Sequence, residues 1–232
     1  MAMTASEMID FFRQQAELFS SGVELMANDH NAPMVAVNVA EVFKASLVQG
    51  LIAWRFGIGS PIEPLRRATA TAARGQKLLQ GMDPSQAGLV PIEQSLFLSY
   101  LLSEQALTID SQGLASDRLL DVVLGRSLQG GWDDANWEIG LGQLRKNKRT
   151  KLSHESYLAY QHLIHANPNE VPALVAQSSA LFGMRKKDAF YKGGPQSEGG
   201  GPDNDFTVDY RLAAIMKKIG FRGDSIHSWK WD

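Results

Sequence analysis

Cysteine is missing from all 232 residues of the chain. A disulfide scaffold is therefore excluded, and so is a cysteine nucleophile. Charge of either sign is nearly balanced: the formal net charge is -2 and the pI is near 6.2. A nucleic-acid-binding domain usually carries a strongly basic face, so that partner class is not expected. No uninterrupted apolar run occurs. The most apolar stretch, Val35 to Phe56, is broken by Asn38, Glu41, Lys44, Gln49 and Arg55. A membrane span requires about 20 mainly apolar residues with few charges, so this stretch reads as a buried core helix. The N-terminus shows no basic segment followed by an apolar core, so no secretory signal is expected. A soluble, cytoplasmic protein without a membrane partner is the expectation.

Catalytic signatures are also missing. There is no Gly-x-Ser-x-Gly elbow, no dinucleotide fingerprint after a strand and no Gly-Lys-Ser/Thr phosphate loop. Neither an enzyme nor a cofactor is expected from the residues.

Hydrophobic residues make up 44% and charged residues 21%, the balance of a globular protein rather than a disordered one. At this length a fold buries roughly 70–75% of the surface of its unfolded chain, so no metal is needed to hold it. No shift in composition marks a boundary, and a single helical domain over 1–232 is expected, all-α, with about eight to nine helices in antiparallel hairpins.

The helix punctuation is legible. Ser6 is placed to cap a helix to about Ala27, with Ile9, Phe12, Ala16, Phe19 and Val23 along one stripe. Pro33 suits the first turn of a helix that runs to Gly57. Ser60-Pro61-Ile62-Glu63 spells a capping box for a helix ending near Gly81. A fourth helix starts near Pro91 and carries Leu96, Tyr100 and Leu101. Ser116 caps Asp117 to Leu128, which stops at Gly130-Gly131. Further helices are predicted at Asp134 to Arg145, at Glu155 to His165 behind a Ser153 cap, and from Asn167-Pro168-Asn169-Glu170 to about Lys186. The last spans Val208 to Ile219, with Gly220 at its C-terminus. No stretch alternates as a half-buried strand must; only Trp229-Lys230-Trp231-Asp232 reads as extended.

Residues 192–204, with five glycines and two prolines, cannot continue a helix. This Gly/Pro-rich loop is bracketed by Arg185, Lys186 and Lys187 on one side and by Asp203, Asp205, Asp209 and Arg211 on the other. Phosphate binding is disfavoured by the carboxylates where the anion would sit. Oxygen ligation of a cation by the three aspartates is an alternative, although the spacing does not match a calcium loop. The plainer reading is that Asp203 or Asp205 caps the last helix. His162 and His165, with His154 two turns earlier, have zinc-like spacing but no third ligand, and no metal is expected there.

Two other clusters stand out. The basic run Arg145-Lys146-Asn147-Lys148-Arg149-Thr150-Lys151 reads as a solvated linker. Just before it, Trp132, Asp133, Asp134, Trp137 and Glu138 form an acidic, aromatic patch of the kind enriched at interfaces, with at least one tryptophan expected in the core.

The segments Arg185-Lys186-Lys187-Asp188-Ala189-Phe190-Tyr191 and Asp203 to Ala214 resemble the C-terminal part of helical immunity proteins that accompany bacterial polymorphic toxins and contact-dependent or type VI secretion effectors. The resemblance covers about the last quarter of the chain. It implies a binding protein that occludes the active site of a cognate toxin. If that toxin is a nuclease with a basic cleft, Asp133, Asp134, Glu138, Glu198, Asp203 and Asp205 are the natural contact residues. The alternatives are a metal-dependent hydrolase using the Asp203–Asp209 cluster, and a helical adaptor in a phage or secretion assembly.

Overall fold

A computed structural model of the chain describes residues 4–90, 92–104, 109, 114, 116–146, 150–187 and 208–223, with the backbone alone for 185–187. Ten helices and no strand occur among the described residues, as an all-α reading requires. The chain falls into two compact units, residues 1–102 and 103–232. No composition shift signals that division, and each unit is taken by itself. The glycine-rich stretch 192–204 and the C-terminal tryptophans lie outside the described residues.

Unit 1 holds α1 (Ala5–Asn28), α2 (Ala32–Phe56), α3 (Ile62–Met82), the single turn α4 (Pro84–Ala87) and α5 (Gln94–Leu101). The cap of α1 is Thr4, not Ser6. Glu7 stands three residues after Thr4, so its carboxylate reaches the Thr4 amide (2.7 Å) while the Thr4 hydroxyl accepts the Glu7 amide (3.2 Å). On the predicted stripe Ala16 and Val23 are buried, and Ile9, Phe12 and Phe19 are half-buried. α2 is the centre of the unit. Phe43, Leu47, Leu51 and Ile52 are almost wholly buried. By length and composition it is the one helix among the described residues able to cross a membrane, but 78% of its most apolar window is buried, as in a core helix. It ends where predicted, at Gly57 in the left-handed region (φ 65°), which glycine adopts without steric cost.

α3 approaches α2 closely through glycine. A Cβ on Gly75 would overlap the Val39 methyls, and one on Gly50 would come within 2.7 Å of Leu65. The box predicted at Ser60 does not form. Ser60 accepts the Ile62 amide at 3.3 Å, two residues on, and Glu63 pairs with Arg66 instead of returning to the cap. Pro61 has helical dihedrals itself, so the first turn is already set without the side chain.

Unit 2 holds α6 (Ser116–Ser127), α7 (Asp134–Arg145), α8 (Lys151–Ile164), α9 (Val171–Lys187) and α10 (Tyr210–Lys218). α6 and α7 meet at Gly140, whose missing side chain leaves room for Leu120. α8 begins four residues before the predicted start at Glu155, so Ser153 is buried inside the helix and Thr150 takes the N-cap position. Glu170 does reach back to the Asn167 amide (3.1 Å), the half of a capping box that fixes the turn before α9. α10 is capped by Asp209 rather than by Asp203 or Asp205: its carboxylate accepts the Leu212 amide at 3.1 Å. Asp209 is three residues before that amide, the reach a cap requires. Gly220, at φ 70°, follows the last turn, and Phe221 returns its amide to Met216.

Candidate functional site

Unit 2 contains a column of aromatic rings leading from its surface to a buried set of charges. At the outer end Trp132 is half-buried. Its indole N–H donates to Asp134 (2.8 Å), its ring lies 4.8 Å from that of Trp137, and the His165 ring meets it edge-on at 5.0 Å. Trp137 is fully buried and continues to Tyr157 (6.1 Å), which stands perpendicular to Tyr160 (5.9 Å). The helical period creates the column. Tyr157 and Tyr160 are three residues apart on α8 and share its inner face, and Trp137 lies in the first two turns of α7.

The inner end is polar. Tyr157 donates to Asp121 at 2.7 Å, and Tyr160 donates to Asp209 at 2.5 Å. Arg211 grips Asp121 with two parallel bonds, Nε to Oδ1 at 2.7 Å and a terminal nitrogen to Oδ2 at 2.6 Å. Burial lowers the Arg211 pKa, but Asp121 together with Tyr210 and Tyr157 outweighs it and holds the guanidinium above its ordinary value. Burial, reinforced by Asp121, pushes the Tyr157 phenol well above its ordinary value. Asp117, at the more exposed start of α6, is raised by desolvation and then by the Asp121 charge. Every one of these groups is tied to another side chain or to the backbone. The cluster holds three helices, α6, α8 and α10, in register.

The sequence-predicted site residues separate accordingly. Asp133 is the cap of α7. It accepts the Asn136 amide (3.0 Å) and the Asn136 side chain (2.6 Å), and those bonds, the backbone one foremost, hold its carboxyl below the usual carboxylate range. Asp134 fixes the Trp132 ring. Glu138 remains exposed, one helical turn after Asp134, beside the exposed Ile139 (52% accessible). Glu198, Asp203 and Asp205 lie outside the described residues. Asp209 has one oxygen on the Leu212 amide and the other on Tyr160, so it serves as a helix cap and as a tie to α8. His165 closes α8 and packs on Trp132, and no group of three or more metal-ligating side chains occurs among the described residues.

Sequence reasoning missed Asp121, and it read Arg211 as a flank of the Gly/Pro-rich loop rather than as a core residue. The signal was present: Leu119-Leu120-Asp121-Val122-Val123 sets one carboxylate in an apolar run, and such a charge, once buried, must find a partner.

Unit 1 adds a groove of about 720 Å³ between α1 and α3, walled by Val23, Ala27, Leu78 and Met82 and bridged at its rim by Glu24 and Arg74 at 3.6 Å.

No protein-family model, curated protein or solved structure matches this chain.

Proposed function

We propose that this chain is an immunity protein, which binds a cognate bacterial toxin in the cytoplasm and covers its active site. The observation that carries the reading is the corner at the start of α7, where Trp132 is held by Asp134 and where Glu138 and Ile139 of the same helix are exposed. A half-buried tryptophan is locked by its own N–H bond and by contact with two further rings. On the same helix Glu138 is an exposed carboxylate one turn after Asp134, and Ile139, next to it in sequence, is an exposed large apolar side chain. A preorganised aromatic anchor is what an interface hot spot requires, because little side-chain freedom remains to be lost on binding.

The acidic contact set narrows. Asp133 serves the helix and Asp134 serves Trp132, so Glu138 is the carboxylate of this corner offered to a basic cleft. Glu198, Asp203 and Asp205 stay in the proposal through the resemblance. The bonds that Asp209 makes to Leu212 and Tyr160 speak against the hydrolase reading, and polymorphic toxins and contact-dependent or type VI secretion effectors remain the toxin classes the resemblance names.

Co-production with the protein encoded by the adjacent reading frame tests this. Protection of the host and a one-to-one complex are expected, with protection lost for Trp132→Ala and Ile139→Asp. Weaker binding without unfolding is expected for Asp203→Ala with Asp205→Ala. Turnover of a small substrate that vanishes on neutralising Asp205 would overturn the proposal.

A further inference from the structure

Half of the large apolar side chains exposed among the described residues lie on one flank of unit 1. On α1 they are Phe11, Leu18 and Leu25, which are 42%, 64% and 58% accessible. On α2 they are Met34 and Val37, at 43% and 49%. The α1 residues are seven apart, so they form one stripe along the helix.

Local packing shows where this stripe lies. The missing Gly22 side chain faces Asn38, and Gly75 of α3 faces Val39. On α2, then, α1 and α3 occupy sides one residue step, about 100°, apart. Val37 is one step from Asn38 in the opposite sense, and Met34 is one turn before Asn38, so both lie on the side of α1 away from α3. On α1 itself Glu24 and Ala27 face the α3 groove, and Leu25 and Leu18 point away from it. The two sets therefore share one flank: the α1 stripe with Met34 and Val37 beside it.

A second periodicity runs next to the first. Asp10, Glu17 and Glu24 are also seven apart, each one residue before a member of the stripe. They form an acidic ridge along its outer edge. Asp10 pairs with Arg13 within its own helix and Glu24 reaches Arg74 at 3.6 Å, but both pairs are exposed and so hold little energy against a competing cation. An apolar stripe with charge along one edge is the pattern by which helices choose partners. Antiparallel pairing with a second copy would set the acidic ridge against itself, and an anionic lipid surface would be repelled by it.

We infer that this flank is a docking surface for an amphipathic helix of a partner protein, one that carries lysine or arginine along the edge of its apolar stripe. The partner helix fills the open side of the α1–α2 pair, covering Leu18, Leu25, Met34 and Val37, with its cations on Glu17 and its neighbours. The inference is independent of the toxin-binding corner, which belongs to the other unit.

The test uses the full chain and two synthetic helical peptides of roughly three heptads, identical in their leucine stripe, one flanked by lysines and the other by glutamates. Anisotropy titration is expected to show binding of the lysine peptide that weakens with salt, and at least tenfold weaker binding of the glutamate peptide. Leu18→Asp is expected to weaken the lysine peptide by about tenfold or more. Asp10→Lys with Glu17→Lys is expected to invert the preference between the peptides. Both variants change exposed positions, and the charge swap keeps the inference testable should Leu18→Asp unfold the chain. Equal binding of the two peptides, no binding of either, dimerisation of the free chain abolished by Leu18→Asp, or binding to phosphatidylglycerol vesicles in preference to the lysine peptide would each overturn it. Loss of protection by Trp132→Ala with peptide binding intact would separate this surface from the toxin-binding corner.

Discussion

Arg211 and Asp121, 90 residues apart in sequence, meet as a buried two-pronged ion pair with Nε–Oδ1 at 2.7 Å and a terminal nitrogen on Oδ2 at 2.6 Å. The pair ties α10 to α6, and Tyr157 of α8 donates to the same carboxylate.

Removing one member leaves the other charge buried and unmatched. Asp121→Ala is therefore expected to cost about 3–5 kcal/mol, measured by urea unfolding. The double variant Asp121→Leu with Arg211→Met should recover much of that loss, because a matched apolar pair replaces the charges together. A double variant as unstable as the single would show that the pair's position, rather than its charge balance, is what the fold requires.

Asp117 sets a pH dependence. Desolvation and the neighbouring Asp121 raise its native pKa above the unfolded value. The native state thus holds this proton more tightly than the unfolded state does. Its contribution to stability is present below the ordinary carboxylate pKa and is lost as pH rises through the raised one. Asp117→Asn is expected to be more stable than the parent at pH 7, with the gain fading below about pH 4. Thermal melts from pH 3 to 8 check this; a gain that persists at low pH would contradict the assignment.

Glycine carries the α2–α3 contact. Gly75→Ala drives a methyl group into the Val39 side chain, so a loss of about 1–3 kcal/mol is expected. Val39→Ala in the same chain should relieve part of it, since the clash is with those methyls. Calorimetric unfolding of the two singles and the double reads the coupling.

Local signals carried most of the fold. Gly57 and Gly220 mark the ends of α2 and α10 because a left-handed residue at a helix terminus favours glycine. Competing local signals displaced the caps: Thr4, Ser6 and Glu7 offer two candidates, and only Thr4 stands three before the glutamate. The site was legible in part. Trp132, Asp133, Asp134, Trp137 and Glu138 were found as a patch, but their division into cap, ring holder, core anchor and open carboxylate depends on which face of α7 packs inward. Asp209 entered only as an alternative cation ligand, because sequence spacing cannot show that Tyr160, 49 residues away, donates to it. The division at residue 102 has no local signature, since helices pack by shape across long separations.

The proposed function rests on engagement of another protein by the Trp132 corner. Isothermal titration of the adjacent gene's product into this chain, beside the variant Trp132→Ala with Ile139→Asp, tests it most directly. Stoichiometric binding by the parent is predicted, weakened about 100-fold or more in the variant, whose circular dichroism should stay helical. Equal affinity for the two chains, or none for the parent, would contradict it.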